Sequence, residues 1–358
     1  MKILFFIESL TSGGKERRLV ELIKGLSKDE SISMQIVLIQ EIIHYKEIHS
    51  INIRIDYTKR KFLKKDPRIF YKFYKIAKNY KPDVIHVWGN MPAIYSIPTK
   101  ILLRTPMINN QISDAPLQIS STVLNHKITF LFSDKIIANS YAGLKTYNAP
   151  KNKSDVIYNG FDFSRINLLE DINRVREKFD VTTKLVVGMV ASFSKKKDYK
   201  TYIEAANKLL KQNFDVTFLC IGSGDDTTYK EMVETENRDR ILFLGKQNNV
   251  ESIMNICDIG VLSTYTEGIS NALLEFSALG KPVVTTFGGG NIELVSQEET
   301  GYLVDQESPG KLAEKIELLL NDESKRIDFG VKGKERIFKK FSIDKMIANF
   351  KDVYAKTI

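Results

Sequence analysis

The chain has 358 residues, of which 43% are hydrophobic and 27% charged, and its net charge is +9 at pH 7. This length favours two domains, and the composition is that of a globular protein rather than a disordered or fibrous one. No stretch offers the roughly 18 uninterrupted apolar residues of a membrane-spanning helix. The apolar start is interrupted by Glu8, and no small-residue cleavage site follows it. We therefore expect a cytoplasmic protein.

The positive charge is concentrated in the first half of the sequence. Residues 1–165 contain 26 Lys and Arg against 14 Asp and Glu, whereas residues 166–358 contain 27 against 30. The two cysteines, Cys220 and Cys257, lie in apolar stretches without the paired spacing of a metal or redox motif. They are predicted to be buried thiols.

Short apolar runs rich in Ile and Val alternate with helical segments along the whole chain, which is typical of repeated βαβ units and parallel sheets. The fold class is therefore α/β. We predict an N-terminal domain over 1–165, a linker with a short helix over 166–183, a C-terminal domain over 184–340 and an amphipathic helix over 341–358 that packs on the N-terminal domain. Strands are expected near 2–7, 34–39, 83–87, 106–109 and 134–138, then near 185–191, 215–221, 241–244, 259–262, 282–285 and 302–304.

The first strand runs into Ser12, Gly13 and Gly14, and a helix-forming segment follows. Glycines at such a turn allow a ligand to approach the backbone, and the helix start offers unpaired N–H groups to an anion. The full G-x-G-x-x-G pattern is absent, so the sequence does not support a nicotinamide cofactor.

A second candidate site is TEGISNALLEFSALGKPVV, which contains Glu267 and Glu275. A helix is expected to begin near Ser270 and to end at Gly280 and Pro282. Eight residues at helical rise span about 12 Å, which is too far for two carboxylates to share a proton. We expect them to hold different parts of one extended ligand, with the N–H groups of 268–271 suited to phosphate.

With these motifs the chain resembles the family-4 glycosyltransferases over nearly its full length. The pair Glu267 and Glu275 matches the E-x7-E signature of that family. The matching segments are G-G-x-E at Gly13, Gly14 and Glu16, DVIH at 83–86, N-G-x-D at 159–162, IGSG at 221–224, FLG at 243–245, EGISNALLEFSALGKPVVTT at 267–286, GGGNIELV at 288–295 and TGYLV at 300–304.

The resemblance implies a GT-B fold, in which two Rossmann-like domains face each other across a cleft, and a retaining sugar transfer from a nucleotide-sugar donor, with UDP preferred over GDP. Glu275 would bind the ribose and Glu267 would lie beside the donor sugar as a catalytic candidate. The other donor-binding candidates are Gly14, Ser192, Lys197, Gly222, Gly245, Gly268, Ile269, Ser270 and Asn271. Ser192 departs from the pattern because the family usually has an arginine there, and a hydroxyl cannot replace its charge; Lys195 or Lys196 is a candidate substitute.

On the acceptor side the resemblance indicates Gly13 and Glu16. His86 closes a predicted strand, where open α/β sheets bind their ligands, and is the second catalytic candidate. Trp88 and Asn90 follow it and are candidates for acceptor selection. The acceptor class is a glycan or a lipid-linked sugar, as in bacterial surface polysaccharide synthesis.

No Asp-x-Asp and no cluster with metal-ligand spacing occurs in the sequence, so we expect no metal and no other cofactor. Lys197 and backbone N–H groups would then stabilise the leaving diphosphate, in a front-face displacement. Two alternatives stay open: a sugar-nucleotide epimerase of the same fold, and a non-catalytic partner subunit that binds nucleotide sugars.

The segment from Lys59 to Lys81 contains ten Lys and Arg and one acid, Asp66. Its apolar residues recur at helical spacing behind Pro67, so it is either an ordinary helix with a solvated basic face or a surface for an anionic membrane. The second alternative would place the protein at the inner face of the cell membrane. Nucleic acid is not an expected partner, because no recognition fold accompanies the charge.

Overall fold

The computed structural model describes residues 1–11, 13–60, 65–115 and 123–358. The chain forms two compact units. The first comprises Met1–Gly160 and Ile343–Ile358, and the second comprises Phe161–Ser342. Each unit is built around its own parallel sheet, as the alternation of apolar runs and helices predicts.

The first unit contains a seven-stranded sheet with the order β3-β2-β1-β4-β5-β6-β7. Its strands are β1 Lys2–Ile7, β2 Ser33–Leu38, β3 Arg54–Tyr57, β4 Val84–Trp88, β5 Met107–Ile112, β6 Lys135–Ala138 and β7 Ser154–Val156. Its first helices are α1 Gly14–Leu26, α2 Arg68–Tyr80, α3 Asn90–Leu103, α4 Val123–Phe132 and α5 Tyr141–Thr146, with short 3-10 helices at Lys46–Ser50 and Lys151–Lys153. The chain builds the sheet outward from β1 to β3 and then returns to β4, so the direction of winding reverses between β1 and β4.

The second unit contains a six-stranded sheet with the order β10-β9-β8-β11-β12-β13. Its strands are β8 Leu185–Val190, β9 Val216–Ile221, β10 Ile241–Gly245, β11 Ile259–Leu262, β12 Val283–Thr286 and β13 Gly301–Val304. Its helices are α6 Ile172–Lys178, α7 Tyr199–Leu210, α8 Thr227–Glu231, α9 Val250–Asn255, α10 Asn271–Ala278, α11 Asn291–Leu294, α12 Pro309–Asn321 and α13 Glu323–Lys340, with 3-10 helices at Phe163–Leu168 and Thr235–Asn237. Here the winding reverses between β8 and β11.

Two strands, β3 and β7, were not predicted from the sequence. Both lie at the edges of the first sheet and are short, with the sequences RIDY and SDV. An edge strand is covered by neighbours on fewer sides, so its residues need not be apolar and the hydrophobic pattern does not show it.

The stretch 166–183, which the sequence assigns to a linker, is part of the second unit. Helix α6 buries Val175, and Val181 is buried after it. The Asn249 side chain also donates a 2.8 Å hydrogen bond to Glu170. The short helix expected in this stretch is therefore present as α6, but the stretch packs into the second unit instead of forming a separate linker. Its mostly polar sequence did not show that Val175 and Val181 would be buried.

The last helix, α14, spans Ile343–Thr357 and belongs to the first unit. It packs with α1 on one face of the sheet and buries Met346, Phe350, Val353 and Tyr354 there. Helices α2, α3 and α4 cover the other face. The apolar face of this amphipathic helix thus covers the part of the sheet that α1 does not cover.

His86 lies inside β4 rather than at its end, because the strand continues to Trp88. Its side chain is fully buried under α14, where Nδ1 lies 2.7 Å from the Tyr354 hydroxyl. The rings of Phe5, Trp88 and Phe350 surround it. Burial lowers the pKa of His86 to about 3, so the imidazole is neutral in the folded protein. The prediction of His86 as a catalytic group is therefore not supported by its position, which has no access to solvent.

This burial predicts a pH-dependent stability of the first unit. Below pH 6.5 the unfolded chain protonates His86 while the folded chain does not, so folding loses about 1.4 kcal/mol per pH unit as the pH falls toward 3. We expect the wild-type free energy of unfolding to approach that of His86→Gln as the pH falls from 7 to 5. The free energy of unfolding is measured at each pH from denaturant titrations that follow the fluorescence of Trp88, the single tryptophan. Tyr354→Phe keeps the histidine and should keep the wild-type slope; parallel curves for wild type and His86→Gln would contradict the assignment.

Candidate functional site

The donor-site residues predicted in the second unit meet where the winding of its sheet reverses. Ser192 and Lys197 follow β8, and Glu267 to Asn271 follow β11, which lies beside β8. The loops of two such neighbouring strands diverge toward opposite faces of the sheet and leave room at its carboxyl edge, which is where open α/β folds bind ligands. The topology therefore brings together residues that are about 70 positions apart in sequence.

Lys197 and Glu267 form an ion pair between these two loops. Their side chains are 16% and 20% exposed, so both charges are largely but not completely shielded from solvent. The backbone holds both loops in place: Lys197 pairs with Thr264, and the Lys196 carbonyl accepts hydrogen bonds of 3.0 and 3.1 Å from Thr264 Oγ1 and the Tyr265 N–H. A cation and a carboxylate are thus held together where the winding of the second sheet reverses.

The backbone around Gly268 is held by a glycine turn that follows β12. The Gly290 N–H donates a 3.0 Å hydrogen bond to the Glu267 carbonyl. A Cβ atom on Gly289 or Gly290 would collide with the carbonyls of Glu267 and Gly268, and Gly289 also has a φ of +55°. These glycines are therefore required for the turn to lie against the segment that carries Glu267.

Helix α10 begins at Asn271, and the hydroxyl of Ser270 caps it by accepting from the Leu273 N–H at 3.4 Å. The helix start predicted near Ser270 is confirmed, and Gly280 with φ +74° follows the helix end. Residues 267 to 270 are not helical, so the distance of about 12 Å expected between the two glutamates, which assumed a continuous helix, does not apply. Gly268, Ile269 and Ser270 are buried.

Glu275 is 4% exposed and lies in an ion-pair network that the sequence did not predict. Its Oε1 accepts a 3.1 Å hydrogen bond from Arg165, which also pairs with Glu251. The Arg165 guanidinium lies 5.1 Å from the centre of the Phe161 ring. Arg165 lies near the start of the second unit and thus orients the carboxylate of Glu275. The only sequence signal was its position three residues after the N-G-x-D motif.

Backbone hydrogen bonds join the turns that follow β8, β9 and β10. The Phe193 N–H donates to Ser223 at 2.8 Å, and the Gly222 N–H donates to Gly245 at 3.0 Å. A side chain at Gly222 would collide with the Ala191 carbonyl, whereas the space beside Gly245 is open. The backbone is thus accessible at Gly245, at the edge of the sheet.

Ser192 is exposed, and its hydroxyl lies 3.2 Å from that of Ser194. Lys195 and Lys196 are also exposed. Of the three lysines at 195–197, Lys197 is thus the one whose side chain lies at the reversal of the sheet, paired with Glu267.

The acceptor-side candidates lie at the carboxyl edge of the first sheet. Gly13 has an extended backbone, and its carbonyl accepts a 3.0 Å hydrogen bond from Tyr45. The Glu16 carboxylate folds back over Gly13 and forms a 3.4 Å ion pair with Lys15, as an acid in the first turn of a helix commonly does. Trp88 ends β4 and Asn90 begins α3; Trp88 Nε1 and Asn90 Oδ1 are buried without a hydrogen-bond partner among the described residues.

Within the described parts of the chain, no group of three His, Cys, Asp or Glu side chains could hold a metal ion. Nor does any helix there have the length and apolarity needed to cross a bilayer. Cys220 and Cys257 are both fully buried, as expected, and burial raises the pKa of each thiol.

Two family models match the chain in succession. The model "Glycosyltransferase Family 4" matches residues 12–165, and the model "Glycosyl transferases group 1" matches residues 171–336. The chain belongs to glycosyltransferase family 4. The two matched ranges together contain the Gly13-Gly14 turn, the Lys197–Glu267 pair and Glu275.

Similar proteins include curated bacterial enzymes. The chain is 26% identical to N-acetyl-alpha-D-glucosaminyl L-malate synthase of Bacillus anthracis, over 79% of this chain and 77% of that protein. It is also 26% identical to a Campylobacter jejuni N-acetylgalactosaminyltransferase that acts on N-acetylgalactosamine-N,N'-diacetylbacillosaminyl-diphospho-undecaprenol, over 94% of each chain.

A similar solved structure is that of Anabaena HepE in complex with UDP and glucose, with a TM-score of 0.85, 22% identity and 99% coverage of both chains. This likeness establishes the GT-B fold for the family-4 chain.

The Lys197–Glu267 pair predicts a selective effect on anion binding. Removing the lysine removes a charged hydrogen bond of about 1.5–3 kcal/mol, so Lys197→Met should weaken binding of a nucleoside diphosphate about 10- to 100-fold and leave the nucleoside unchanged. Calorimetric titration of uridine and UDP measures both. Lys195→Met is the matched control, and Ser192→Arg should strengthen diphosphate binding. Equal losses for nucleoside and diphosphate would show that Lys197 does not contact phosphate.

Proposed function

We propose that this glycosyltransferase transfers a sugar from a UDP-sugar to a hydroxyl of a glycan or lipid-linked acceptor, with retention at the anomeric carbon and without a metal. The second unit would hold the donor and the first unit the acceptor. The observation that carries the proposal is the Lys197–Glu267 pair at the reversal of the second sheet, beside a capped helix start and the buried Glu275. The UDP bound to HepE supports the choice of nucleotide.

Each residue of the site has a distinct task in this proposal. Lys197 exchanges part of its interaction with Glu267 for the donor diphosphate, and the N–H groups at the start of α10 add partial positive charge. Arg165 holds Glu275 where its second oxygen accepts from a ribose hydroxyl. Glu267 stays beside the donor sugar. The charge that develops on the departing diphosphate is then stabilised by fixed groups that need not reorganise.

The reaction proposed is a front-face displacement. The bond from the anomeric carbon to the phosphate oxygen breaks, and its electron pair stays on the diphosphate. The acceptor oxygen bonds to the same face of the anomeric carbon, and its proton passes to the departing phosphate oxygen. A double displacement would need a nucleophilic carboxylate on the opposite face, about 5 Å from an acid, and Glu267 is held by Lys197 instead.

The acceptor is proposed to be lipid-linked, in bacterial surface polysaccharide synthesis, with the protein at the inner face of the membrane. The diphospho-undecaprenol carrier named for the Campylobacter jejuni relative supports this. The basic segment 59–81, of which residues 61–64 lie outside the described residues, would face the anionic lipid. Its described helix α2 borders a cavity of about 570 Å³ that Lys2, Arg54, Lys72 and Lys75 line.

Sugar transfer should depend on both glutamates. We expect Glu267→Ala and Glu275→Ala to lower the rate of UDP release and transfer at least about 100-fold, which is the effect of removing one preorganised group from a site of this kind. Glu275→Gln is the conservative control for the fold, because it keeps a partner for Arg165. Full activity of either alanine variant at an unchanged melting temperature would refute the site.

The same assay distinguishes the alternatives. An NMR coupling constant of the product reports whether the α configuration of the donor is retained. Conversion of the UDP-sugar to a new sugar without acceptor would indicate an epimerase. Nucleotide binding with no turnover on any donor and acceptor would indicate a non-catalytic subunit.

Transfer should persist when divalent cations are removed, because Lys197 and backbone N–H groups are proposed to stabilise the diphosphate. The measurement is the initial rate in excess EDTA after dialysis, compared with the rate in added Mg²⁺ or Mn²⁺. A rate that collapses in chelator and returns with either metal would contradict the metal-free mechanism.

A further inference from the structure

The helices that cover one face of the first sheet contain no acidic residue. Helices α2, α3 and α4 have neither Asp nor Glu, and they contribute the basic residues Arg68, Lys72, Lys75, Lys78, Lys100 and Lys127. Helices α1 and α14, on the opposite face, carry both signs of charge, with Glu16, Glu21, Asp344 and Asp352 among their acids. This helical layer therefore carries basic residues that no acidic residue of the same helices offsets.

The same layer exposes large apolar side chains near the ends of two neighbouring helices. Ile101 and Leu102 at the end of α3 are 54% and 66% exposed, and Ile128 and Leu131 on α4 are 42% and 74% exposed. We call these four residues the apolar tip. Lys100 Nζ lies 3.0 Å from Asp134, just beyond α4, so the two helix ends lie side by side. Clustered exposed apolar side chains of this kind mark an interaction surface.

The charges around the apolar tip indicate what covers it. Arg104 and Lys127 border the tip and are exposed, the neighbouring acid Asp134 is paired with Lys100, and the α2 lysines extend the positive surface. Apolar side chains with a basic rim match an anionic bilayer, where lysine and arginine reach the phosphates and the apolar groups enter the acyl boundary. A second copy of the chain would bring these cations against one another, which disfavours self-association through this face.

We infer that Ile101, Leu102, Ile128 and Leu131 insert into the acyl boundary of an anionic bilayer while α2 lies on the headgroups. The inference rests on the proposed function in one respect, that the acceptor is carried by a membrane. It adds an apolar component to binding, which salt does not screen, whereas adsorption by α2 alone is electrostatic and weakens at high salt.

A label on the apolar tip tests the insertion directly. Cys220 and Cys257 are fully buried, so an environment-sensitive dye on Leu131→Cys reacts at a single exposed thiol. On phosphatidylglycerol vesicles its emission should shift to the blue, and lipids carrying a shallow acyl quencher should quench it. Val331→Cys on α13 is the matched control, because Val331 is 54% exposed in the second unit. Its label should remain in water.

Binding measurements form the second arm of the test. The double variant Leu102→Ser with Leu131→Ser should bind phosphatidylglycerol vesicles at least about tenfold more weakly than wild type, since two exposed leucines no longer enter the acyl boundary. The residual binding at high salt should also disappear. Ile327→Ser with Val331→Ser is the matched control for lost surface apolarity on α13. Lys65→Glu with Lys75→Glu should instead remove the salt-sensitive component.

The outcomes separate this inference from the proposed function. A Leu131→Cys label that stays in water on vesicle-bound protein overturns insertion and leaves α2 adsorption standing. Absence of wild-type binding to anionic vesicles overturns both the insertion and the membrane location, while UDP-sugar turnover still tests the transferase. A dimer in solution that the Leu102→Ser with Leu131→Ser variant abolishes would assign the tip to a second copy instead.

Discussion

The reversal of strand order within each parallel sheet is the constraint on which the rest of the molecule depends. Parallel strands joined by right-handed crossovers place consecutive helices on one face as long as the sheet grows in one direction. When the chain returns to the centre and grows the other way, the next helix goes to the opposite face, and the two loops at the reversal separate. Both sheets reverse once, beside β1 in the first unit and beside β8 in the second.

Two charged side chains lie in the space that the reversal of the second sheet leaves open. Lys197 and Glu267 stand on the two diverging loops and neutralise each other across it. A partly buried cation without a partner would carry a desolvation cost, and a paired one can exchange its partner for an incoming phosphate. Arg165 pairs with Glu275 in the same way, and the glycine turn at 288–290 packs against the loop that carries Glu267 and is hydrogen-bonded to it. The polar groups of the site are thus held by one another before any ligand arrives.

The sequence predicted the parts of this arrangement that leave a local pattern. Buried strands appear as apolar runs, and the cap at Ser270 and the stop at Gly280 mark the limits of α10. It did not predict Arg165, because a salt bridge over 110 positions leaves no local pattern. Nor did it place His86 correctly: alternation puts residues 84, 86 and 88 on one face of β4, but only the docking of α14 shows that this face is closed.

The layer formed by α2, α3 and α4 relates the apolar tip to the acceptor-side residues within the first unit. Helix α3 runs from Asn90, at the carboxyl edge of the sheet, to Leu103 beside the tip, and its 14 residues span about 20 Å. If the helices stood upright on a bilayer, an acceptor would have to extend that full distance. Tyr71, near the start of α2, is 68% exposed, so aromatic surface also occurs toward the carboxyl edge of the same layer. In the proposed membrane location, a layer that lies flatter would bring Asn90 closer to the headgroups and shorten the distance that the proposed lipid-linked acceptor has to span.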